Sequence, residues 1–375
     1  MNDVNVSRSG LSPFAETCER WLARISPVGP VETALNEALG GVIAEPARGV
    51  RALPEVDRAA LDGWALASRD LVSASAYAPA MLTSPPTFLA VGDPIPRGCD
   101  CVVEGKFVSI EGPLAEVRIS AAPGDGVLRV GDDVAEGTAL FRTGEIVDAS
   151  VVALAKAAWL THLTIRRPSV QLIDVSDQAE TGPTTTIIDS LIEKAGGRVI
   201  IGRAPREIDG LTESLKGAKA DFIVSVGGTG DGQDDIAAEA IRQAGTLDAH
   251  RLAVHPGMTT ALGTVGPMPV VALSGRTPDA FAVALTLVLP AIRSLSGAPE
   301  PETLSLTLTR KITSQIGFAE LALLQRESSL AKPLAVGSLS LSALTEFNTW
   351  FLIPAASEGH SAGTTIDAYS FGARS

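Results

Sequence analysis

The tightest constraint on the fold lies between Ser169 and Ser296, where short apolar runs alternate with segments of helical length. The runs are Val170 to Val175, Val199 to Gly202, Phe222 to Val226 and Val270 to Leu273. After them come Thr185 to Ala195, Ile208 to Leu215, Asp234 to Ala244 and Pro278 to Leu295, which read as helices. Strands with no polar face must be covered on both sides, so the pattern predicts a parallel sheet between helical layers. In such sheets ligands bind beyond the C-terminal ends of the strands.

Two strand–helix connections at that end are rich in glycine. The first is Val226-Gly227-Gly228-Thr229-Gly230-Asp231-Gly232-Gln233-Asp234-Asp235. Glycine allows close backbone approach, so N–H groups converge on an anion, and a helix start adds partial positive charge. The segment is neither GxxxxGK[ST], since no lysine follows, nor a clean GxGxxG. Asp231, Asp234 and Asp235 carry two open readings: carboxylates that hold Mg²⁺ beside a phosphate, or plain caps of the next helix. The second connection is Leu273-Ser274-Gly275-Arg276-Thr277-Pro278-Asp279. Arg276 either faces an anion there or is a solvated surface side chain.

The flanking sequence has a different texture. Ser12-Pro13 followed by Cys18, Trp21, Leu22 and Ile25 predicts an amphipathic helix, and Val31 to Leu39 a second, ending at Gly40-Gly41. From about Arg48 to Arg142 short runs such as Thr87 to Val91, Cys101 to Val108 and Ala115 to Ile119 are broken by Pro and Gly, as in a β-rich domain. Ala149 to Leu160 returns to helix. Beyond Pro299-Glu300-Pro301, Leu304 to Leu308, Phe318 to Leu324 and Trp350 to Ile353 read as strands of a small β-domain.

Composition narrows the function. At 375 residues two to four domains are expected. The net charge of -13 and the 4% aromatic content disfavour polyanion binding and stacking on single-stranded nucleic acid. Three cysteines, Cys18, Cys99 and Cys101, suit a reducing cytosol rather than a disulfide framework, and Cys99-Asp100-Cys101 has no second ligand pair for zinc. Met1 to Ser9 lack an apolar signal core, and the apolar run Ala280 to Ile292 is too short to span a bilayer, so a cytoplasmic protein with a buried helix is expected.

Several blocks, in order along nearly the whole chain, resemble the molybdopterin molybdenumtransferase family (MoeA, gephyrin E-domain). Pro54-Glu-Val-Asp-Arg-Ala-Ala-Leu-Asp62-Gly63-Trp64-Ala65 is similar to its Pro-Pro-Phe-Asp-Asn-Ser-Ala-Met-Asp-Gly-Tyr-Ala signature. Gly92-Asp-Pro-Ile-Pro96 with Gly98-Cys-Asp-Cys-Val-Val103, and Arg129-Val-Gly-Asp-Asp133, resemble two further stretches. The Gly227-Gly228 loop resembles its Gly-Gly-Val-Ser-Val-Gly-Asp-x-Asp. His255-Pro-Gly-Met258 stands where the family has Lys-Pro-Gly-Lys, and Ser274-Gly-Arg-Thr-Pro-Asp-Ala280 where it has Pro-Gly-Asn-Pro-x-Ser-Ala. Gly337-Ser338 matches a C-terminal Gly-Ser.

The resemblance implies an elongated α/β multi-domain homodimer. Its parts would be a discontinuous helical linker domain (10–47 plus 143–167), a β-rich domain (48–142), a parallel-sheet pterin-binding domain (168–298) and a C-terminal β-domain (299–375). It implies Mg²⁺-assisted insertion of molybdate into adenylylated molybdopterin with loss of AMP; a client molybdoenzyme is a candidate partner, to which a carrier would deliver the cofactor. Carried over by position, Asp62, Asp235 and Asp177 are catalytic candidates. Gly227, Gly228, Thr229, Gly230, Arg251, His255, Ser274, Gly275 and Arg276 are ligand-binding candidates, and Asp235 and Asp231 metal ligands. Arg129 and Asp133 read as a structural pair or loop brace, and His162, His250 and His360 receive no role.

The chain also departs from the pattern. His255 and Met258 replace two lysines, while Arg251 keeps an upstream basic position. Ser176-Asp177-Gln178 stands for Gly-Asp-Glu, Gln233 for an acid, Arg206-Glu207 for Asp-Asp, Val91 for Thr and Thr184 for Asn. Each lost ammonium forfeits ~1.5–3 kcal/mol of charge-assisted hydrogen bonding to an oxyanion. A weakened molybdopterin or cofactor carrier on the same fold is therefore the second expectation.

Overall fold

The computed structural model describes residues 10–47, 51–230 and 235–372. The chain divides into two compact units. One contains the stretch to Glu45, Arg142–Ala149 and the stretch from His162, and the other Pro46–Phe141 with Ser150–Thr161.

The first unit is built on the expected sheet. Its elements are β1 (Ser169–Val175), α1 (Pro183–Lys194), β2 (Arg198–Ala204), α2 (Ile208–Lys216), β3 (Phe222–Val226), α3 (Ala237–Ala244), β4 (Thr246–His250), β5 (Ala261–Val265), β6 (Met268–Leu273) and α4 (Thr277–Ser296). The order across the sheet is β2-β1-β3-β6-β5-β4. The four strands foreseen in the sequence run parallel, with Leu172 opposite Val224 and Val224 opposite Val271. The sheet is nonetheless mixed, because β5 adds antiparallel to β6 and β4 antiparallel to β5.

Strand alternation explains the two-sided burial. Val170, Leu172 and Val224 pack with Ile188 and Ile192 of α1 and with Phe281, Leu285 and Val288 of α4. Ile173, Val175 and Ile223 face the other way, onto Leu211 and Leu215 of α2 and Ile241 of α3. The apolar run Ala280 to Ile292 sits inside a longer helix, close to the one expected. α4 has 20 residues and is long and apolar enough to cross a membrane by length and composition, yet 67% of its apolar window is buried inside the protein, as in a core helix. A π turn at Ala284–Val288 precedes Pro290, whose missing N–H already breaks the regular ladder.

The N-terminal helix Phe14–Leu22 buries Phe14, Cys18 and Trp21 against this unit. The Trp21 Nε1–H donates to the Gly263 carbonyl at 3.2 Å. A Cβ at Gly263 would stand 2.3 Å from the Thr246 carbonyl oxygen, so only glycine admits the β4–β5 approach. The helix expected over Val31 to Leu39 is instead a strand, Val31–Ala34, and a single turn, Leu35–Ala38. Val31–Ala34 pairs antiparallel with His162–Arg166, and that ladder overrides local periodicity.

The C-terminal part is a small barrel. Ala319–Glu327, Leu330–Val336, Thr303–Leu308, Thr365–Ser370 and Thr349–Ile353 follow one another, and pairing of the last with the first closes the ring. Val254–His255 joins it as a short parallel partner of Ala319 and Glu320, so the His255 loop is fastened to the barrel.

The second unit is β-rich, as read. Gly63–Leu66 lies between Thr87–Leu89 and Cys101–Val103, and Leu114–Val117 pairs with Ala80–Leu82 and Val108–Glu111. Cys101 is a buried strand thiol that donates to the Leu66 carbonyl at 3.3 Å, and burial pushes its pKa up to about 12.

Candidate functional site

The two glycine turns meet. β3 and β6 are neighbours in register, so Val226 and Leu273 end side by side and their chains turn at the same level. The Gly227 N–H donates to the Leu273 carbonyl at 2.9 Å. A Cβ on Gly275 would lie 3.6 Å from the Gly227 Cα, and one on Gly227 only 2.8 Å from the Val175 carbonyl oxygen. Gly227 also has φ of +97°, a conformation that glycine adopts without strain. The ends of β1, β3 and β6 therefore converge within van der Waals reach.

They open on a cleft of about 490 Å³. The first turns of α1 (Pro183, Thr184, Thr185) and α4 (Thr277, Pro278) line it with Gly227, Gly275 and Arg276, while Leu339, Ser340 and Leu341 form a wall from the barrel segment. The start of α4 thus directs partial positive charge into this space, which favours a phosphate, while the start of α1 is offset by the Asp174 carboxylate. Thr184, 4% exposed, ties the walls together: its hydroxyl donates to the Gly275 carbonyl at 2.8 Å and lies 2.7 Å from the Thr277 hydroxyl. Asp174, also 4% exposed, lines the cleft, and its Oδ2 accepts the Gly182 N–H at 2.8 Å.

The helix expected to support the first glycine loop contributes less. α3 begins at Ala237, and the N–H groups of Ile236 and Ala237 both go to the Gly228 carbonyl at 3.0 Å. These amides close the loop on itself and do not face a ligand. Thr229 links the loop to the next one, its hydroxyl 3.1 Å from that of Thr259. Asp231 and Asp234 lie outside the described residues. Asp235 is inside them, its side chain 8% exposed, with Oδ2 2.5 Å from His250 Nε2. Its Oδ1 is buried and has no hydrogen-bond partner among the described residues. His250, assigned nothing from sequence, is therefore the neighbour that fixes Asp235. Arg251 follows in the left-handed region at φ of 64°, its N–H bonded to the Thr260 carbonyl at 3.0 Å.

Arg276 connects the first cleft to a second of about 510 Å³, lined by His255, Met258, Thr259, Arg276, Asp279 and Glu320 with neighbouring backbone. The Arg276 guanidinium bonds Asp279 at 2.5 Å, and its backbone N–H is held by the Ser274 hydroxyl at 3.1 Å. Ser274 thus shapes the turn. His255 stacks on Phe318 with ring centroids 4.2 Å apart. Glu320, 8% exposed, accepts the Gln315 N–H at 3.2 Å, and Gly337 packs so closely that a Cβ would stand 2.6 Å from its Oε1. Where the resemblance expects two lysines, this cleft has one guanidinium paired to a carboxylate, and a second carboxylate.

Asp235 and Arg251 lie outside the lining of both clefts, and two further candidates sit elsewhere. Asp177 is outside the lining of both clefts and accepts the Arg206 N–H at 3.2 Å. Asp62 is an exposed residue of the other unit and accepts the Val91 N–H at 2.7 Å. The suspected Arg129–Asp133 pair is a different brace: Arg129 Nη2 donates to the Pro123 carbonyl and its N–H to Asp132. Of the residues that sequence reading passed over, Asp174 had a signal, a lone charge inside an apolar strand. His250 had none, because the chain turn that brings it to Asp235 is not encoded in local pattern.

Two family profiles match the chain: the MoeA N-terminal region (domain I and II) over residues 12–158, and a "Probable molybdopterin binding domain" over 176–294, which contains both glycine turns. The chain is 26% identical over 329 residues to molybdopterin molybdenumtransferase 2 of Mycobacterium tuberculosis, spanning 77% of this chain and 81% of that protein. It is 24% identical over 396 residues to the molybdopterin molybdenumtransferase of Staphylococcus aureus, spanning 95% and 94%. Among solved structures, the molybdopterin biosynthesis moeA protein of Pyrococcus horikoshii superimposes with a TM-score of 0.73 at 25% identity, over 96% of this chain and 100% of that one.

Proposed function

The chain belongs to the MoeA family of molybdenum cofactor biosynthesis proteins, and from that premise we propose that it inserts molybdenum into molybdopterin, consuming adenylylated molybdopterin and molybdate and releasing AMP. The observation that carries the reading is the junction of the two glycine turns, with the first turns of α1 and α4 opening on the same cleft. There the phosphate is held by backbone N–H groups and the α4 dipole and needs no lysine. Thr184 keeps the two walls at a fixed spacing, which holds the anhydride in one orientation.

Mg²⁺ belongs to this proposal. The buried Oδ1 of Asp235, unpartnered among the described residues, is the carboxylate oxygen that would hold Mg²⁺. When bound, Mg²⁺ polarises the phosphoanhydride and offsets its charge. His250 fixes the rotamer of Asp235, so its free oxygen is presented in one direction. In this reading the protein is a cytoplasmic homodimer, Asp62 of a second copy acts at the cleft, and the product passes to a client molybdoenzyme.

A second reading, a carrier that binds the pterin without efficient insertion, is favoured by the second cleft. Its one lining guanidinium is paired with Asp279, and Glu320 adds negative charge, so molybdate gains little there. Incubation of the protein with adenylylated molybdopterin, molybdate and Mg²⁺ separates the readings. Release of AMP that disappears in Asp235→Ala and Asp62→Ala supports transfer. Tight binding without AMP supports the carrier, and no binding overturns both.

A further inference from the structure

We propose that Asp174 selects and orients the ligand of the glycine-turn cleft by accepting the donor edge of a 2-amino-4-oxopyrimidine ring, the 2-amino group and adjacent ring N–H of a pterin. The inference rests on reading this cleft as a pterin site, and it adds which end of the ligand lies where.

Asp174 is the penultimate residue of β1, at the C-terminal end of a central strand. Its neighbours Leu172 and Val170 on the same strand face are core residues. A carboxylate in that row is costly unless it is compensated. Its register partner on β2, Arg203, does not compensate it: that guanidinium turns to the Ala179 carbonyl and lies 3.4 Å from the Thr181 hydroxyl. The Thr184 hydroxyl, on the same cleft wall, is committed to Gly275 and Thr277. Compensation comes from the Gly182 N–H and from the start of α1, a 12-residue helix with no acidic residue in its first turn.

An ionised carboxylate is acceptor-only, with about four lone-pair sites on its two oxygens. One site is taken by Gly182, and the residue lines the cleft. Its remaining lone-pair sites therefore repel phosphate, molybdate and carbonyl edges and take a group with N–H donors. Phosphate is left to the seam between Gly227 and Gly275 and the start of α4, beside Asp174, whose register partner on β3 is Val226. A pterin carrying a phosphate satisfies both groups in one orientation only: ring to Asp174, phosphate to the glycine turns.

Asp174 also pins the start of α1, so the test must move something that a structural role leaves alone. Intrinsic pteridine fluorescence is titrated with wild type, Asp174→Asn and Asp174→Ser, using 6-hydroxymethylpterin and the matching lumazine, which carries a carbonyl in place of the 2-amino group. AMP serves as a phosphate probe. Asn keeps an oxygen for the Gly182 N–H and presents N–H donors to the cleft. Wild type is expected to prefer the pterin by ~10–100-fold, the span of one charge-assisted hydrogen bond. Asp174→Asn loses or inverts that preference, Asp174→Ser binds both pteridines equally, and AMP binding stays the same in all three. A folded Asp174→Asn protein that still prefers the pterin overturns the proposal and leaves the pterin site standing. Should Asp174→Asn fail to fold, retained preference in Asp174→Ser overturns it equally. Wild type that binds AMP but neither pteridine overturns the reading of the cleft as well.

Discussion

Alanine at Gly227 and at Gly275 should act in opposite ways, because the two glycines are required for different reasons. Gly227 has φ of +97°, and a Cβ there would press to 2.8 Å from the Val175 carbonyl oxygen, a backbone atom of a central strand that cannot yield. The conformation costs alanine about 1–3 kcal/mol, and relief of the contact needs a shift of β1 or β3. Gly227→Ala is therefore expected to destabilise by roughly 3 kcal/mol and to lower the melting temperature by roughly 5–10 °C. A Cβ at Gly275 meets nothing nearer than the Gly227 Cα at 3.6 Å, ordinary contact at a residue whose φ is not positive. Gly275→Ala should melt like wild type. Its methyl group nevertheless occupies the seam where a ligand approaches the backbone, and loss of one charge-assisted hydrogen bond, ~1.5–3 kcal/mol, weakens binding of adenylylated molybdopterin ~10–100-fold. Calorimetric melting and titration of both variants read these effects separately. Unchanged affinity in Gly275→Ala, or an unchanged melting temperature in Gly227→Ala, refutes the account of the convergent turns.

His250→Ala leaves the buried Asp235 carboxylate with no partner among the described residues, so a loss of roughly 1–3 kcal/mol in denaturant unfolding is expected, with His250→Asn recovering part of it. Thr184→Val removes the two bonds at 2.8 and 2.7 Å that join α1 to the second turn, and should lower ligand affinity more than the ~1 kcal/mol it costs in stability, read by paired melting and titration. In the second unit, hydrogen bonds from Ser68, first its backbone N–H, hold the Asp100 pKa below its usual value. The folded state thus favours the carboxylate. That stabilisation is present at neutral pH and is lost as pH falls through the carboxylate range, so Asp100→Ala should narrow the gap to wild type in acid. Burial pushes Cys18 and Cys101 up to about 12 from 9.0, which predicts that neither thiol reacts with Ellman's reagent near neutral pH until the chain unfolds, and that their contribution to stability declines as pH rises above 9.0.

The architecture around the site was legible because it rests on strong signals. Apolar strands such as Phe222–Val226 cannot be placed on a surface, and glycine doublets after them mark where backbone approaches backbone. β4 and β5 were missed for a physical reason. Thr246–His250 mixes polar and small residues, and Ala261–Val265 relies on Gly263 for closeness, so neither looks like a strand until β6 offers an edge. The Val31–Leu39 helix failed in the same way, since the ladder with His162–Arg166 is decided by residues more than a hundred positions away. At the site, the turns after β3 and β6 were found, whereas Asp174 at the end of β1 was passed over, and Asp177 was placed by motif alone and turns to Arg206 instead. The pairing of Asp235 with His250 depends on where β4 returns, which only the tertiary structure determines.

The most direct test of the central claim is amide hydrogen exchange of the wild-type protein with and without adenylylated molybdopterin. The account predicts that ligand slows exchange at residues 227–230 and 275–277 together, with the first turn of α1 following. Protection confined to the opposite end of the sheet, around Arg24 and Asp248, or its absence from both glycine turns, would contradict it.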